Sequence, residues 1–408
     1  MTTHAEGYQD RGFGGKMKKK ILIVDDSALM RRVFCDIINN DDRFEVVNTA
    51  TDGAEGFKFI CEKQYDAVVL DVYMPRMTGL QLLEEMQKSR VSARILMAST
   101  TTAEGARETL DALSLGAIDF IKKPENVADT RQEKFSKRFL DLLYVVACAP
   151  MPRFGGAVAA SKADGEKAHT FTKRFDVNFH TTAEKIAEDR AKVMAAVRPA
   201  EPVHEDIKLR KVEHRGHNRI VAIASSTGGP RALQEVIPYL PGNLPVPVLL
   251  VQHMPQGFTA SLADRLNELS KIAVSEAAEG DMLVPGHVYI APGGKHMKVE
   301  KRGNSHFIKY GDEPTREGVK PSANYMYESL IGCDYDEVIC VVMTGMGADG
   351  TAGIKNLDLK KHTYIIAQNQ ETSTVYGMPK AIVQTGMVSE VVPLKELAEQ
   401  ITKNVGVR

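Results

Sequence analysis

The sequence predicts two α/β domains in tandem, each built on a parallel sheet, the second doubly wound and carrying an antiparallel hairpin. Three observations predict it. Short apolar runs alternate with helical periodicity from Lys19 onward, and the same alternation resumes at Arg219 after a stretch of linker-like composition. The length of 408 residues, at about 150 per domain, suggests two or three domains, and an apolar content of 43% supports large packed cores.

In the first domain, Lys19 to Cys148, the runs Ile21 to Val24, Ala67 to Leu70, Ile95 to Ala98 and Ile118 to Ile121 read as strands buried on both faces. A helix over Arg131 to Cys148 closes it. Residues 149–218 are rich in Ala, Lys, Glu, Gly and Pro and read as a linker. Within it, Thr181 with Glu184 makes a capping box, and Ile186, Arg190, Val193, Met194 and Val197 recur at helical spacing. The second domain, residues 219–408, takes strands from Ile220 to Ala224, Val246 to Gln252, Val338 to Met343, Tyr364 to Ala367 and Val388 to Val392. His287 to Ile290 and Phe307 to Tyr310, flanking the turn-like Arg302-Gly303-Asn304, are expected to form the hairpin.

Charge and cysteine content exclude several classes. With 52 Lys plus Arg against 53 Asp plus Glu, the net charge of -1 gives no bulk reason to bind nucleic acid or an anionic membrane. No apolar run approaches the roughly 20 residues of a membrane span, and Met1 to Lys20 lacks a signal-peptide core, so no membrane insertion and a cytoplasmic location are expected. Five scattered cysteines with no CxxC pair fit a reducing compartment and speak against a zinc site.

Candidate site residues fall at strand ends, where ligands bind in open parallel sheets. Asp25 and Asp26 follow the first strand and Asp71 ends the next buried one. Three converging carboxylates repel unless a cation is present, and hard oxygen ligands favour Mg²⁺. Lys123, before Pro124, supplies positive charge for an added phosphoryl group, and Ser99 a hydrogen bond to it. Each alone has an ordinary reading: Asp as a helix cap, Lys-Pro as a turn. Together, Val24-Asp25-Asp26-Ser27, Leu70-Asp71-Val72-Tyr73-Met74-Pro75-Arg76-Met77-Thr78-Gly79 and Lys123-Pro124 resemble the response-regulator receiver family, a flavodoxin-like fold. The resemblance implies phosphorylation of Asp71 by a histidine kinase, Mg²⁺ held by Asp26 and Asp71 with Asp25 completing the pocket, Lys123 on the phosphate, and Ser99 and Phe120 as switch residues.

In the second domain, Ser225-Ser226-Thr227-Gly228-Gly229 follows a strand and precedes a helix expected over Arg231 to Leu240. Small residues permit close backbone approach there, and free N–H groups favour developing negative charge. A serine in this turn can be a nucleophile; a phosphate-binding turn competes, but GxGxxG and the Walker pattern are both missing. His253, ending another strand, is the candidate base, and Asp349, in the Gly-rich loop Thr344 to Gly350, the orienting acid. Backbone N–H groups at Thr227 and Met346 are oxyanion candidates. The order Ser, His, Asp departs from that of α/β-hydrolases, but geometry and not order defines a triad.

Ser225 to Gly229, Gln252-His253-Met254-Pro255, Ala291-Pro292-Gly293-Gly294, Thr344 to Gly350 and Tyr376-Gly377-Met378-Pro379 resemble the chemotaxis protein-glutamate methylesterases, the CheB family, in which a receiver also precedes the catalytic domain. The resemblance implies Ser226 as nucleophile, His253 as general base then acid, and Asp349 as its carboxylate. It implies glutamyl methyl esters on chemoreceptor cytoplasmic helices as substrate, receptor glutamines as a second one, and no cofactor for hydrolysis. Ser225 stands where the family usually has Ala, Lys320-Pro321-Ser322-Ala323-Asn324 where it has Arg-Pro-Ser-Val-Asp, and Asn369-Gln370 where it has an acidic pair. These departures are expected to bear on substrate preference, and the linker exceeds the family's expected length. The rival expectations are a non-enzymatic module gripping receptor or kinase helices and a DNA-binding regulator; the latter lacks a basic helix-turn-helix.

Overall fold

The computed structural model describes residues 17–100, 102–124, 133–152 and 208–407. The helix expected within Thr181 to Val197, and the start of the one expected from Arg131, lie outside them. In the N-terminal unit, strands β1 (Lys19–Val24), β2 (Phe44–Ala50), β3 (Ala67–Asp71), β4 (Ile95–Ser99) and β5 (Asp119–Lys122) form a parallel sheet in the order β2-β1-β3-β4-β5. Alternate residues of β1 serve opposite faces: Leu22 and Val24 pack with Val68, Leu70 and Met97 on one side, Ile21 and Ile23 with Val69, Leu96 and Phe139 on the other. That two-sided burial is why β1, β3 and β4 read as continuous apolar runs. Edge strand β2 alternates buried and exposed residues and therefore gives no such run.

The C-terminal unit holds β6 (Arg219–Ser225), β7 (Val248–Gln252), β8 (Ala273–Glu276), β9 (His287–Ile290), β10 (His296–Arg302), β11 (Ser305–Gly311), β12 (Glu337–Val342), β13 (His362–Gln368) and β14 (Glu390–Val392). Seven of them make a parallel sheet ordered β14-β13-β12-β6-β7-β9-β8. Order reverses beside β6, which pairs with β12 on one side and β7 on the other, so their carboxyl ends open one crevice.

Two expectations need correction. His287–Ile290 does not pair with the segment containing Phe307 to Tyr310; it lies parallel to β7 and β8 inside the main sheet. The antiparallel hairpin is β10 with β11, closed at Gly303-Asn304, and β10 escaped notice because Lys298, Glu300 and Lys301 interrupt its apolar residues. The helix expected over Arg231 to Leu240 is instead a short helix, Gly229–Gln234, then a 3-10 turn, Ile237–Tyr239; Pro238 removes the N–H a continuous helix needs.

Residues 208–218 pack against the C-terminal unit. Arg210 Nη1 meets Asp358 at 2.9 Å, and His214 and Arg219 converge on the buried Glu337.

Candidate active site

Ser226 sits where β6 breaks into the helix Gly229–Gln234. Gly228 takes φ +75°, which a side chain rarely adopts, and a Cβ there would run into Thr374. Ser226 N–H donates to Thr344 O at 3.0 Å, tying the turn to the loop after β12, and Gly345 lies so close to Ser226 that it too has no room for a side chain. The neighbouring Ser225 is buried and donates to Gln252 Oε1 at 2.7 Å, while Gln252 Nε2 donates to Ser226 O at 2.9 Å. Ser225 is thus committed to the scaffold, and the half-buried Ser226 faces the crevice edge.

His253, at the end of β7, pairs through Nε2 with Asp349 Oδ2 at 2.8 Å. Its Nδ1 is therefore the nitrogen left for proton transfer. Among the described residues no hydrogen bond joins Ser226 Oγ to His253; such contacts are often long before substrate binds. Asp349 is 3% exposed, and burial pushes its carboxyl up, but hydrogen bonds from His253, Ser322 and Ala323 outweigh that and hold it below the usual range. Thr227 and Met346 flank Ser226 on two loops joined by Thr344 Oγ1, which donates to Thr227 O at 2.9 Å. Gly377 and Met378 N–H groups both donate to Gly345 O, so the Tyr376 to Pro379 motif props the loop carrying Met346.

The structure also brings in residues that sequence reasoning missed. Asp119, first residue of β5, is buried, and its carboxylate accepts from Phe120 N–H at 2.8 Å and from the Thr227 hydroxyl and Gly228 N–H of the other unit. Burial raises its pKa to about 6 despite those donors and the Arg138 charge. Phe120 stacks on Phe258 with centroids 4.5 Å apart, Ser114 donates to Gln234 at 2.9 Å, and Asp111 lies 3.8 Å from Arg265. The N-terminal unit thus reaches the residues immediately after Ser226. A polar residue opening the apolar strand Asp119-Phe120-Ile121 was the available signal.

In the N-terminal unit, Lys123 Nζ lies 2.7 Å from both Asp25 Oδ2 and Asp71 Oδ2. Burial raises the Asp71 pKa to about 6; Lys123 opposes the rise and Asp25 adds to it. Carboxylate oxygens of Asp25, Asp26 and Asp71 lie within 4.8 Å of one another, a hard-donor set that fits a divalent cation. Ser99 is not turned to Asp71: its hydroxyl accepts from Thr109 Oγ1 at 2.7 Å and lies 3.2 Å from Gly105 O.

Two of the sequence departures have structural work. Asn324 Oδ1 accepts from Gly350 and Gly353 N–H groups at 3.1 and 2.6 Å, and its amide donates to Glu317. Asn369 Oδ1 accepts from Thr372 N–H at 3.2 Å, closing a turn.

These two clusters, on these two sheets, define a class: a receiver-type unit joined to a serine-hydrolase-type α/β unit. The family model for CheB methylesterase matches residues 221–401, and that for the response regulator receiver domain matches residues 21–133. A protein-glutamate methylesterase/protein-glutamine glutaminase 1 of Syntrophomonas wolfei is 38% identical over 389 residues, 94% of this chain and 98% of that protein. Its counterpart in Bacillus subtilis is 37% identical over 388 residues, 95% of this chain and 98% of that one. The crystal structure of the Thermotoga maritima CheB methylesterase catalytic domain is 39% identical and covers 45% of this chain and 97% of its own, with a TM-score of 0.44. The chain belongs to the CheB family of protein-glutamate methylesterases, receiver domain included.

Proposed function

We propose that this chain hydrolyses glutamyl methyl esters on the cytoplasmic helices of chemoreceptors, and deamidates glutamines by the same acyl-enzyme route, under control of its receiver domain. The observation that carries this is the His253–Asp349 pair held beside the Ser226 turn at the strand-order reversal of the second sheet. Ser226 Oγ attacks the ester carbonyl while its proton passes to His253 Nδ1. Thr227 and Met346 N–H groups receive the developing oxyanion, and Asp349 stabilises the imidazolium. Collapse expels the methoxy group, which takes the proton from His253 and leaves as methanol. Water then attacks the acyl-enzyme, with His253 taking its proton, to give the glutamate carboxylate and free Ser226.

Control comes from phosphorylation of Asp71 by a histidine kinase. Asp25, Asp26 and Asp71 would hold Mg²⁺, whose charge steadies phosphoryl oxygens, and Lys123 would exchange its carboxylate partners for the phosphoryl group. In the unphosphorylated state Asp119 and Phe120 press the receiver onto Thr227, Gly228 and Phe258, restricting access to Ser226. Phosphorylation favours the state in which Ser99 leaves Thr109 and Gly105 and the receiver lifts away.

The test of the chemistry is methanol release from methyl-labelled receptor membranes together with covalent labelling by a serine-directed reagent. Wild type gives both and Ser226→Ala neither. A Ser226→Ala protein that still releases methanol would refute the assignment, and a wild type that neither releases methanol nor labels would favour a binding module.

A further inference from the structure

We propose that Ser322 is a positioning residue for hydrolysis, fixing the Asp349 carboxylate with His296 as the lock behind it; this rests on the Ser226, His253, Asp349 reading above. Ser322 occupies the N-cap position of the helix Ala323–Ser329, where a serine hydroxyl ordinarily accepts from a helical N–H. Here it makes no capping bond and instead donates to Asp349 Oδ1 at 2.7 Å. The first helical N–H groups go the same way: Ala323 N donates to Oδ2 at 2.6 Å and Asn324 N to Oδ1 at 3.1 Å. Asp349 therefore stands in as the cap, and Oδ2 is left aimed at His253 Nε2.

The turn is held from the other side. His296, fully buried at the start of β10, accepts from Ser322 N–H through Nδ1 at 3.1 Å and donates through Nε2 to Pro314 O at 3.1 Å. That pairing requires the neutral ring with its proton on Nε2, and burial keeps it neutral by lowering its pKa. A continuous path of hydrogen bonds thus runs from His296 through Ser322 and Asp349 to His253. The backbone donors hold the carboxylate from the helix end, and the Ser322 hydroxyl, with the shorter of the two contacts to Oδ1, draws further charge from that oxygen and adds a side-chain restraint on rotation about the Cβ–Cγ bond.

Ser322→Ala removes one charge-assisted hydrogen bond and leaves the two backbone donors and His253. Loss of alignment is expected to lower kcat about 10- to 100-fold with KM unchanged. The carboxylate, stripped of a donor, attracts the His253 imidazolium more strongly, so the acidic limb of the kcat/KM profile moves to higher pH. A merely structural role would not move that limb. The experiment measures methanol release from methyl-labelled receptor membranes by the full chain across pH, with thermal melting as the check on folding. Ser322→Cys, which adds a little volume and keeps a weaker donor, should fall between wild type and Ser322→Ala in both kcat and limb position, and it carries the test if Ser322→Ala does not fold. An unshifted acidic limb with kcat near wild type in a folded variant overturns the proposal. Methanol release by Ser226→Ala in the same assay would instead overturn the reading on which it rests.

Discussion

Ser225 and Ser226 differ by one position and by everything around them. The Ser225 hydroxyl is spent on Gln252 Oε1, whose amide in turn holds Ser226 O and so shapes the turn that exposes Ser226. Ser225→Ala should keep methanol release while lowering stability by about 1–3 kcal/mol in denaturant unfolding, the cost of an orphaned buried acceptor. Ser226→Ala should keep stability and lose turnover. Loss of turnover in Ser225→Ala with Ser226→Ala active would move the nucleophile by one residue. Ser226, His253 and the Asp25, Asp26, Asp71 and Lys123 cluster could be picked out in the sequence because each is a polar residue at or just past the end of an apolar run, and Asp349 because it lies in a glycine-laden loop following one. Ser322 and Asp119 could not, because their partners are 27 and more than 100 positions away along the chain, and no local pattern records such contacts.

At the scale of elements, the loops do more than connect. Asn324 reaches from one helix to cap the next, Thr351–Asp358, and its amide satisfies Glu317, which holds φ +54°. Asn324→Asp keeps the acceptor but sets a carboxylate against Glu317. It should therefore lower stability by about 1 kcal/mol or more, and Glu317→Gln in the same chain should recover most of that loss, read as a double-mutant cycle by thermal melting. Absence of coupling would show the two side chains to be independent. The central strands were legible because both faces are covered, whereas β2, β8 and β10 were missed because exposed or half-buried residues break their apolar runs. Phe120 stacked on Phe258 is an apolar contact linking β5 to the catalytic unit; such a stacked pair contributes about 0.5–1.5 kcal/mol beyond its buried area. Phe258→Ala should thus raise methanol release without phosphodonor severalfold, and an unchanged ratio of unstimulated to stimulated rate would argue against this contact as the clamp.

At the scale of the molecule, two domains meet at a carboxylate. Burial raises the docked Asp119 pKa to about 6 although Thr227 and Gly228 across the interface lower it; if lifting the receiver returns this carboxyl to water at the ordinary 3.8, the docked state binds its proton more tightly. The Asp119 contribution to docking is therefore fullest below pH 3.8 and is lost as pH rises through about 6. Interdomain proximity, followed by energy transfer between dyes on the two units, should fall across that window in wild type and flatten in Asp119→Asn. A wild-type profile identical to that of Asp119→Asn would remove Asp119 from the linkage. Chelation of divalent cations should abolish stimulation by a small phosphodonor and leave the unstimulated rate intact, since the carboxylate cluster and the Ser226 crevice are separate sites. Loss of the unstimulated rate on chelation would place a metal in hydrolysis.

In the proposed mechanism the state of Asp71 controls the chemistry at Ser226. Its most direct test is methanol release from methyl-labelled receptor membranes by wild type and Asp71→Asn, each with and without a small phosphodonor and Mg²⁺. Wild type should be stimulated and Asp71→Asn should not, with similar unstimulated rates for the two. Equal stimulation of both proteins would contradict it.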